Sequence, residues 1–347
     1  MKEKLVVGFL SLLFIASIVV AVMTTLKAPP RPSAKATRGF ISGPDGYGVV
    51  HISGPIDTTD RFDLSQRFQL GSEGVMARLQ WMAKNPRVKA VVLRINSPGG
   101  RVAATQEIYD EVQKLRKLKP VVASIADVGA SGGYYIACGA TEIVALPGST
   151  VGSIGVIAIF PNIQGMLNDK LGIRTEVIKS PKDKMKDAGS PLRAMSDEEK
   201  ARFQKELDAV YKQFFDVVKL RRSSSILQVA KAKGFDPALS DEQLLEQKLA
   251  ELAQGQTFIG EEAKAEGLID DTGNLWKAVS RARKLAKLPD DAPIVTPTTR
   301  MDRLLDLLLP PGDQAGATGA AEVVSKMADR LTSVRIEYLY LPGGILK

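Results

Sequence analysis

Apolar residues recur along this chain in two rhythms. Residues 48–56, 88–95, 120–126 and 142–145 are short, nearly unbroken apolar runs with the length and β-branched content of buried strands. Residues 73–84 and 103–118 instead place apolar side chains every three or four positions, which predicts amphipathic helices. Strands alternating with helices predict an α/β fold with helices covering a largely parallel sheet. Two further apolar stretches, 154–159 and 175–178, precede a polar, lysine-rich segment at 179–191. A long helical pattern then runs from 197 to 222. Ser196 is placed to cap it, and Glu199 three residues on completes a capping box. Residues 241–253 and 276–288 read as further helices.

The two ends differ from this body. From Leu5 to Leu26 no residue is charged, with Lys2 and Lys4 before and Lys27 and Arg31 after, so the stretch is long enough to span a bilayer. Residues 1–28 are read as a transmembrane anchor and 29–46, rich in Pro, Gly and Ser, as a tether. Basic residues after the apolar stretch outnumber those before it, so charge alone does not orient it. The folded domain is expected at 47–290. Residues 291–347 are rich in Pro, Gly and Ala around a leucine-rich patch at 301–309, which suggests weak order or a partner surface.

Composition narrows the chemistry. The chain has 347 residues, a net charge of +8 and a single histidine, His51. The basic residues are scattered, without the aromatic signatures of nucleic-acid binding, so no nucleic-acid partner is expected. With one histidine and one cysteine, Cys138, no Cys/His zinc ligand set exists, and neither metal nor cofactor is expected. Cys138 excludes an intrachain disulfide and reads as a small buried thiol.

Asp127-Val128-Gly129-Ala130-Ser131-Gly132-Gly133-Tyr134-Tyr135 follows an apolar strand and leads into a helical stretch. Ser131 would sit at the tight turn between them. Glycines on both sides allow a sharp bend and close approach of a substrate, and the helix start offers unpaired N–H donors. Gly129-Ala130-Ser131-Gly132-Gly133 formally fits G-x-S-x-G, but that motif needs a histidine after the serine, and His51 precedes it in a predicted strand. A base for Ser131 would have to be a lysine made neutral by burial, with Lys182, Lys184 and Lys186 as candidates. The turn Ser97-Pro98-Gly99-Gly100 after a buried strand could supply backbone donors to an acyl oxygen.

Four motifs in order, Asn96-Ser97-Pro98-Gly99-Gly100, Ala130-Ser131-Gly132-Gly133-Tyr134-Tyr135-Ile136, Thr150-Val151-Gly152-Ser153-Ile154-Gly155-Val156 and Lys186-Asp187-Ala188-Gly189-Ser190-Pro191, resemble the short form of the bacterial signal peptide peptidase A family. Phe258-Ile259-Gly260-Glu261-Glu262-Ala263 and Gly267-Leu268-Ile269-Asp270 are similar to its closing motif. The resemblance implies a Clp/crotonase-type fold of repeated β-β-α units behind one N-terminal transmembrane helix. It implies a serine endopeptidase at the inner membrane with its catalytic domain outside the cytoplasm. Ser131 becomes the nucleophile, Lys186 the general base, Ser153 the hydroxyl that orients the lysine, and Gly100 with Gly132 the oxyanion hole. The family's protomers form homo-oligomeric rings in which the lysine reaches a neighbour's serine. Expected substrates are cleaved signal peptides and other short or unfolded apolar peptides. Family members have about two fewer residues between the preceding Lys-Ser and this lysine, so counting from Lys179 selects Lys184, whereas the continuous match through Ser190-Pro191 selects Lys186.

Two other classes share such a framework: an acyl-CoA hydratase or thioesterase using the glycine amides, and a membrane-tethered scaffold without chemistry. The serine-centred turn and the candidate lysines distinguish the peptidase reading from both.

Overall fold

The strand at 121–130 organises the sheet. In the computed structural model, which describes residues 43–59, 61–63, 67–69, 71–234 and 239–297, β1 (Gly46–Ser53) precedes a short antiparallel pair, β2 (Arg61–Asp63) and β3 (Arg67–Gln69). Helix α1 (Ser72–Lys84), β4 (Val88–Ser97), α2 (Val102–Arg116), β5 (Val121–Ala130) and the short α3 (Gly132–Ala137) follow. The chain continues through β6 (Glu142–Ala145), β7 (Thr150–Gly152) and the long α4 (Asp197–Ala232). Then come α5 (Asp241–Leu252), β8 (Thr257–Ile259), α6 (Gly260–Ala265), β9 (Asp271–Thr272) and α7 (Leu275–Leu285). The main sheet runs β1-β4-β5-β6-β9 with every neighbouring pair parallel, as helical crossovers require.

Both faces of this sheet are covered, which is why its strands read as unbroken apolar runs. On one face Val91, Leu93, Ile95, Ala123 and Ile125 pack with side chains of α1, α2, α3, α4 and α5. On the other, Ala90, Val92, Val122 and Val144 meet Ala278, Val279 and Ala282 of α7. Cys138 is buried in the larger cluster, and burial pushes its thiol up to about 12, so it packs as an apolar residue.

β5 changes partners along its length. Its first half, Val122–Ile125, pairs with β6, and its last residues, Val128–Ala130, pair with β7. The change follows an irregularity in the β4–β5 ladder, where Ile95 opposes Ile125 but Ser97 opposes Gly129. Asn96 fills that gap: its amide oxygen accepts from Val128 N–H at 3.1 Å and its amide nitrogen donates to Asp127 at 3.2 Å. β7 in turn pairs antiparallel with β8. The bend delivers the end of β5, and the residue after it, to the margin of the sheet.

Helix α4 ties the margin to the core. Arg222, 5% exposed, donates to both carboxylate oxygens of Asp270 at 2.9 and 3.0 Å and to the Gly267 carbonyl, while Asp270 also accepts from Ile143 N–H at 2.6 Å. Arg222→Leu would leave Asp270 without its counter-ion and is expected to cost about 3 kcal/mol of stability, read as a lower denaturant midpoint at unchanged slope.

Between β7 and α4 the chain forms an arm with little regular structure. The apolar stretches 154–159 and 175–178 make no strand here: Ile157, Ile159 and Ile178 are 81%, 80% and 94% exposed. The strand in this region is β7, slightly earlier. The first turns of α4 project with the arm, since no residue from 200 to 213 is buried. Phe160 and Phe203 stack with ring centroids 4.5 Å apart, and Arg193 bridges Asp187 and Glu199. The capping box at Ser196 and Glu199 forms as expected. Hydrogen bonds from Arg193, then from the Ser196 backbone, lower the Glu199 carboxyl to about 2. The network therefore stabilises the arm above the unfolded carboxyl value of roughly 4.3 and loses that contribution as pH falls towards 2. Glu199→Gln is expected to loosen the arm at neutral pH, giving faster cleavage between 179 and 186 by a lysine-specific protease. Unchanged cleavage would show that the network does not hold it.

The apolar stretch at 5–26, the tether and the patch at 301–309 lie outside the described residues. Among the described residues no helix is long and apolar enough to cross a membrane.

Candidate active site

Ser131 stands between β5 and α3 in a conformation that L-residues rarely adopt, φ 50° and ψ −121°. Such a backbone costs of order 1–3 kcal/mol and persists only where its surroundings enforce it. Here Ser131 N–H donates to the Gly152 carbonyl at 2.8 Å, and its own carbonyl accepts from Tyr135 N–H at 2.9 Å. The turn lifts the hydroxyl off the sheet and opens a helix whose first amides have no partner within it. Tyr134, in the same helix, is buried and donates its hydroxyl to the Leu268 carbonyl at 2.7 Å, anchoring the helix to the core.

The loop after β4 comes against this turn. Ile56 N–H donates to Gly99 carbonyl and Arg101 N–H donates to Ile56 carbonyl, both at 2.9 Å. These two bonds face the Gly99 carbonyl and the Arg101 amide towards Ile56, so the Gly100 amide between them faces the opposite way. No acceptor among the described residues takes it. The Ser97 hydroxyl braces the loop, donating to Gly54 carbonyl at 2.6 Å and accepting from Gly99 N–H at 3.1 Å. The Arg101 guanidinium adds an ion pair to Asp57 at 2.8 Å.

Glycine is required at 99. Its φ is +100°, and a Cβ there would lie 2.7 Å from Gly132 N and 2.8 Å from Ser131 Cβ. Gly99→Ala is therefore expected to displace the serine turn and lower activity about 100-fold. Gly148→Ala, at a position with nothing within 4 Å, serves as the control and should be close to wild type.

Ser131, Gly100, Gly132 and Ser153 all line one cavity of about 570 Å³. Its walls combine apolar and aromatic side chains, Val102 from α2, Tyr135 from α3, Ile154 after β7, and Tyr211 and Phe214 from α4, with the polar Thr105, Gln106 and Gln254. Tyr109, Tyr135 and Phe214 form a chain of ring contacts at 4.9 and 5.1 Å behind it. Ser153 shares the unusual backbone of Ser131, φ 51°, and its N–H donates to Gln256 carbonyl at 2.8 Å. The arrangement offers a hydroxyl, a Gly100 amide that no described residue takes and a cleft with apolar walls for a chain, which together suit acyl transfer.

The lysines are elsewhere. Lys184 and Lys186 are exposed on the turn of the arm, and neither lines the cavity. Lys186 N–H donates to the Asp183 carbonyl at 3.2 Å, and Lys179 closes the turn by donating to the Lys184 carbonyl at 3.2 Å and pairing with Asp187. His51 also stands apart: it lies on β1, away from the cavity, with its pKa lowered by desolvation and then by Arg78 and Arg94. The structure thus brings together Ser131, Ser153, Gly100 and Gly132, but not a base. Sequence reasoning did not identify Thr105, Tyr135, Tyr211 or Phe214 as cavity residues. For Val102 and Thr105 a signal existed, since they occupy the first turn of the helix that follows the glycine loop.

Residues 113–245 match the profile of peptidase family S49. The chain is 30% identical over 255 residues to the chloroplastic serine protease SPPA of Arabidopsis thaliana, covering 74% of this chain and 34% of that one. It is 32% identical over 242 residues to an Enterococcus faecium protein provisionally named signal peptide peptidase SppA, covering 70% and 64%. It is also 32% identical over 231 residues to a provisionally named protease of Synechocystis, covering 67% and 75%. The chain thus spans about a third of the length of the plant relative and less than two thirds of the enterococcal one.

Proposed function

We propose that this chain, which belongs to peptidase family S49, is a serine protease of the SppA type that cleaves peptides through an acyl-enzyme on Ser131. The observation that carries the reading is the strained Ser131 turn, set in a cavity that Gly100, Gly132 and Ser153 also line. Ser131 Oγ attacks the carbonyl carbon of the scissile bond and gives its proton to a neutral lysine. The two amides hold the oxygen that becomes negative. The C–N bond then breaks, the lysine returns the proton to the departing amine, and water hydrolyses the ester by the same route.

Lys186 is the base in this reading, with Lys184 as the alternative, and Ser153 orients it. Because both lysines lie on an exposed arm and neither lines the cavity of its own chain, a second copy supplies the base. The exposed Ile157, Ile159 and Ile178 on the same arm are the kind of surface that a neighbouring copy would cover. A ring of identical chains on the Clp/crotonase-type framework satisfies both requirements. Residues 5–26 anchor the chain in the inner membrane, the domain lies outside the cytoplasm, and the substrates are cleaved signal peptides and other short or unfolded apolar segments. The cavity's apolar walls favour such chains.

A serine-reactive peptidyl phosphonate should attach to Ser131 in the assembled protein and be located there by peptide mass mapping. A correctly folded assembly that takes up no label would overturn the mechanism.

A further inference from the structure

Thr105 lies one turn into α2 and lines the cavity, yet it is only 4% exposed. Its backbone N–H donates to Arg101 carbonyl at 3.0 Å, as the helix requires. Its hydroxyl does not fold back onto that carbonyl, the usual partner of a helical threonine, and has no partner among the described residues. It points at the nucleophile's neighbour: a Cβ on Gly132 would meet Thr105 Oγ1 at 2.6 Å.

Two of the other polar side chains that line the cavity have partners within the chain. Tyr211 donates its hydroxyl to Ala253 carbonyl at 2.9 Å, and Gln106 donates to Gln213 at 2.5 Å. Among the described residues, Thr105 Oγ1 is the one buried, unpartnered side-chain polar atom that belongs to a residue lining the cavity. A buried hydroxyl left unpaired is unfavourable, and valine would fill the same volume without that penalty. A buried hydroxyl retained without a partner beside the nucleophile is explained by a partner that arrives with the substrate.

We propose that Thr105 determines specificity: its hydroxyl pairs with a short hydroxyl-bearing side chain on the substrate residue whose carbonyl Ser131 attacks. The inference rests on the reading of Ser131 as nucleophile. Three features fix the ligand class. Oγ1 sits against Gly132, beside the reacting serine, and is closed off in the free chain, so only a short side chain next to the scissile carbonyl, seated with a small shift of the first turn of α2, reaches it. Among the described residues no charged one lines the cavity, so the partner is neutral. A hydroxyl can both donate and accept, as can its partner.

The test uses two peptides that differ only in serine or alanine at the residue before the scissile bond. The wild-type protein should favour the serine peptide by about tenfold in kcat/KM, the scale of one buried hydrogen bond made or left unpaired. Thr105→Val should bring the ratio to about one, and Thr105→Ser should restore it. A merely structural role would instead lower both rates together and leave the ratio unchanged. Equal rates in the wild-type protein would overturn the proposal even if Thr105→Val fails to fold. Failure of the nucleophile reading looks different: neither peptide is cleaved and no phosphonate attaches to Ser131, which removes this inference as well.

Discussion

Ser131→Ala is expected to lower kcat/KM for peptide hydrolysis by about 10⁴-fold or more while leaving the protein folded and assembled. Loss of a nucleophile from a group that acts as a unit has effects of this size, because the glycine amides alone can stabilise an oxyanion but cannot form the acyl-enzyme. The structural change is small. Ser131 holds its place through its backbone, N–H to Gly152 and carbonyl to Tyr135, and alanine keeps both bonds. Thermal unfolding should therefore stay close to wild type. The same variant separates the competing classes. A thioesterase or hydratase that used only the Gly100 and Gly132 amides would keep its turnover of acyl-CoA in Ser131→Ala, and a scaffold would have no turnover to lose. Wild-type peptide hydrolysis by purified Ser131→Ala would remove the serine from the mechanism.

The layout of the sheet was readable from the chain because its strands are buried on both faces and so appear as unbroken apolar runs. The capping box at Ser196 was readable because it is a local device, complete within four residues. Ser131 stood out for the same reason: its glycine neighbours, the preceding strand and the following helix are contiguous. What the runs could not show is the division of β5 between two partners, since it depends on Asn96 of another strand filling the irregularity near Asp127. Nor could they show the aromatic wall. Phe214 lies far along the chain from Ser131, and the helical pattern that marks it as apolar does not say which cavity it faces. The stretches at 154–159 and 175–178 misled in the other direction. Both are apolar, yet only Ile154 joins the core while Ile157, Ile159 and Ile178 are exposed, which moves the question from folding to association.

The separation of the candidate base from the serine gives the second large effect. Ser131→Ala and Lys186→Ala should each be inactive alone, one lacking the nucleophile and the other the group that accepts its proton. If the lysine serves a neighbouring copy, a mixed assembly contains junctions at which an intact Ser131 faces an intact Lys186. Random assembly of equal amounts would restore about one quarter of the wild-type sites, since each site needs an intact residue from each of two copies. The measurement is peptide hydrolysis after the two variants are dissociated and reassembled together, with mixing verified by mass. Lys184→Ala run in parallel resolves the register: an inactive Lys184→Ala beside a fully active Lys186→Ala would place the base two residues earlier on the same turn. Verified mixed assemblies that stay inactive would mean that serine and lysine come from one chain. The exposed arm, held at its base by Arg193 between Asp187 and Glu199, would then have to fold back over the cavity to bring Lys186 to Ser131.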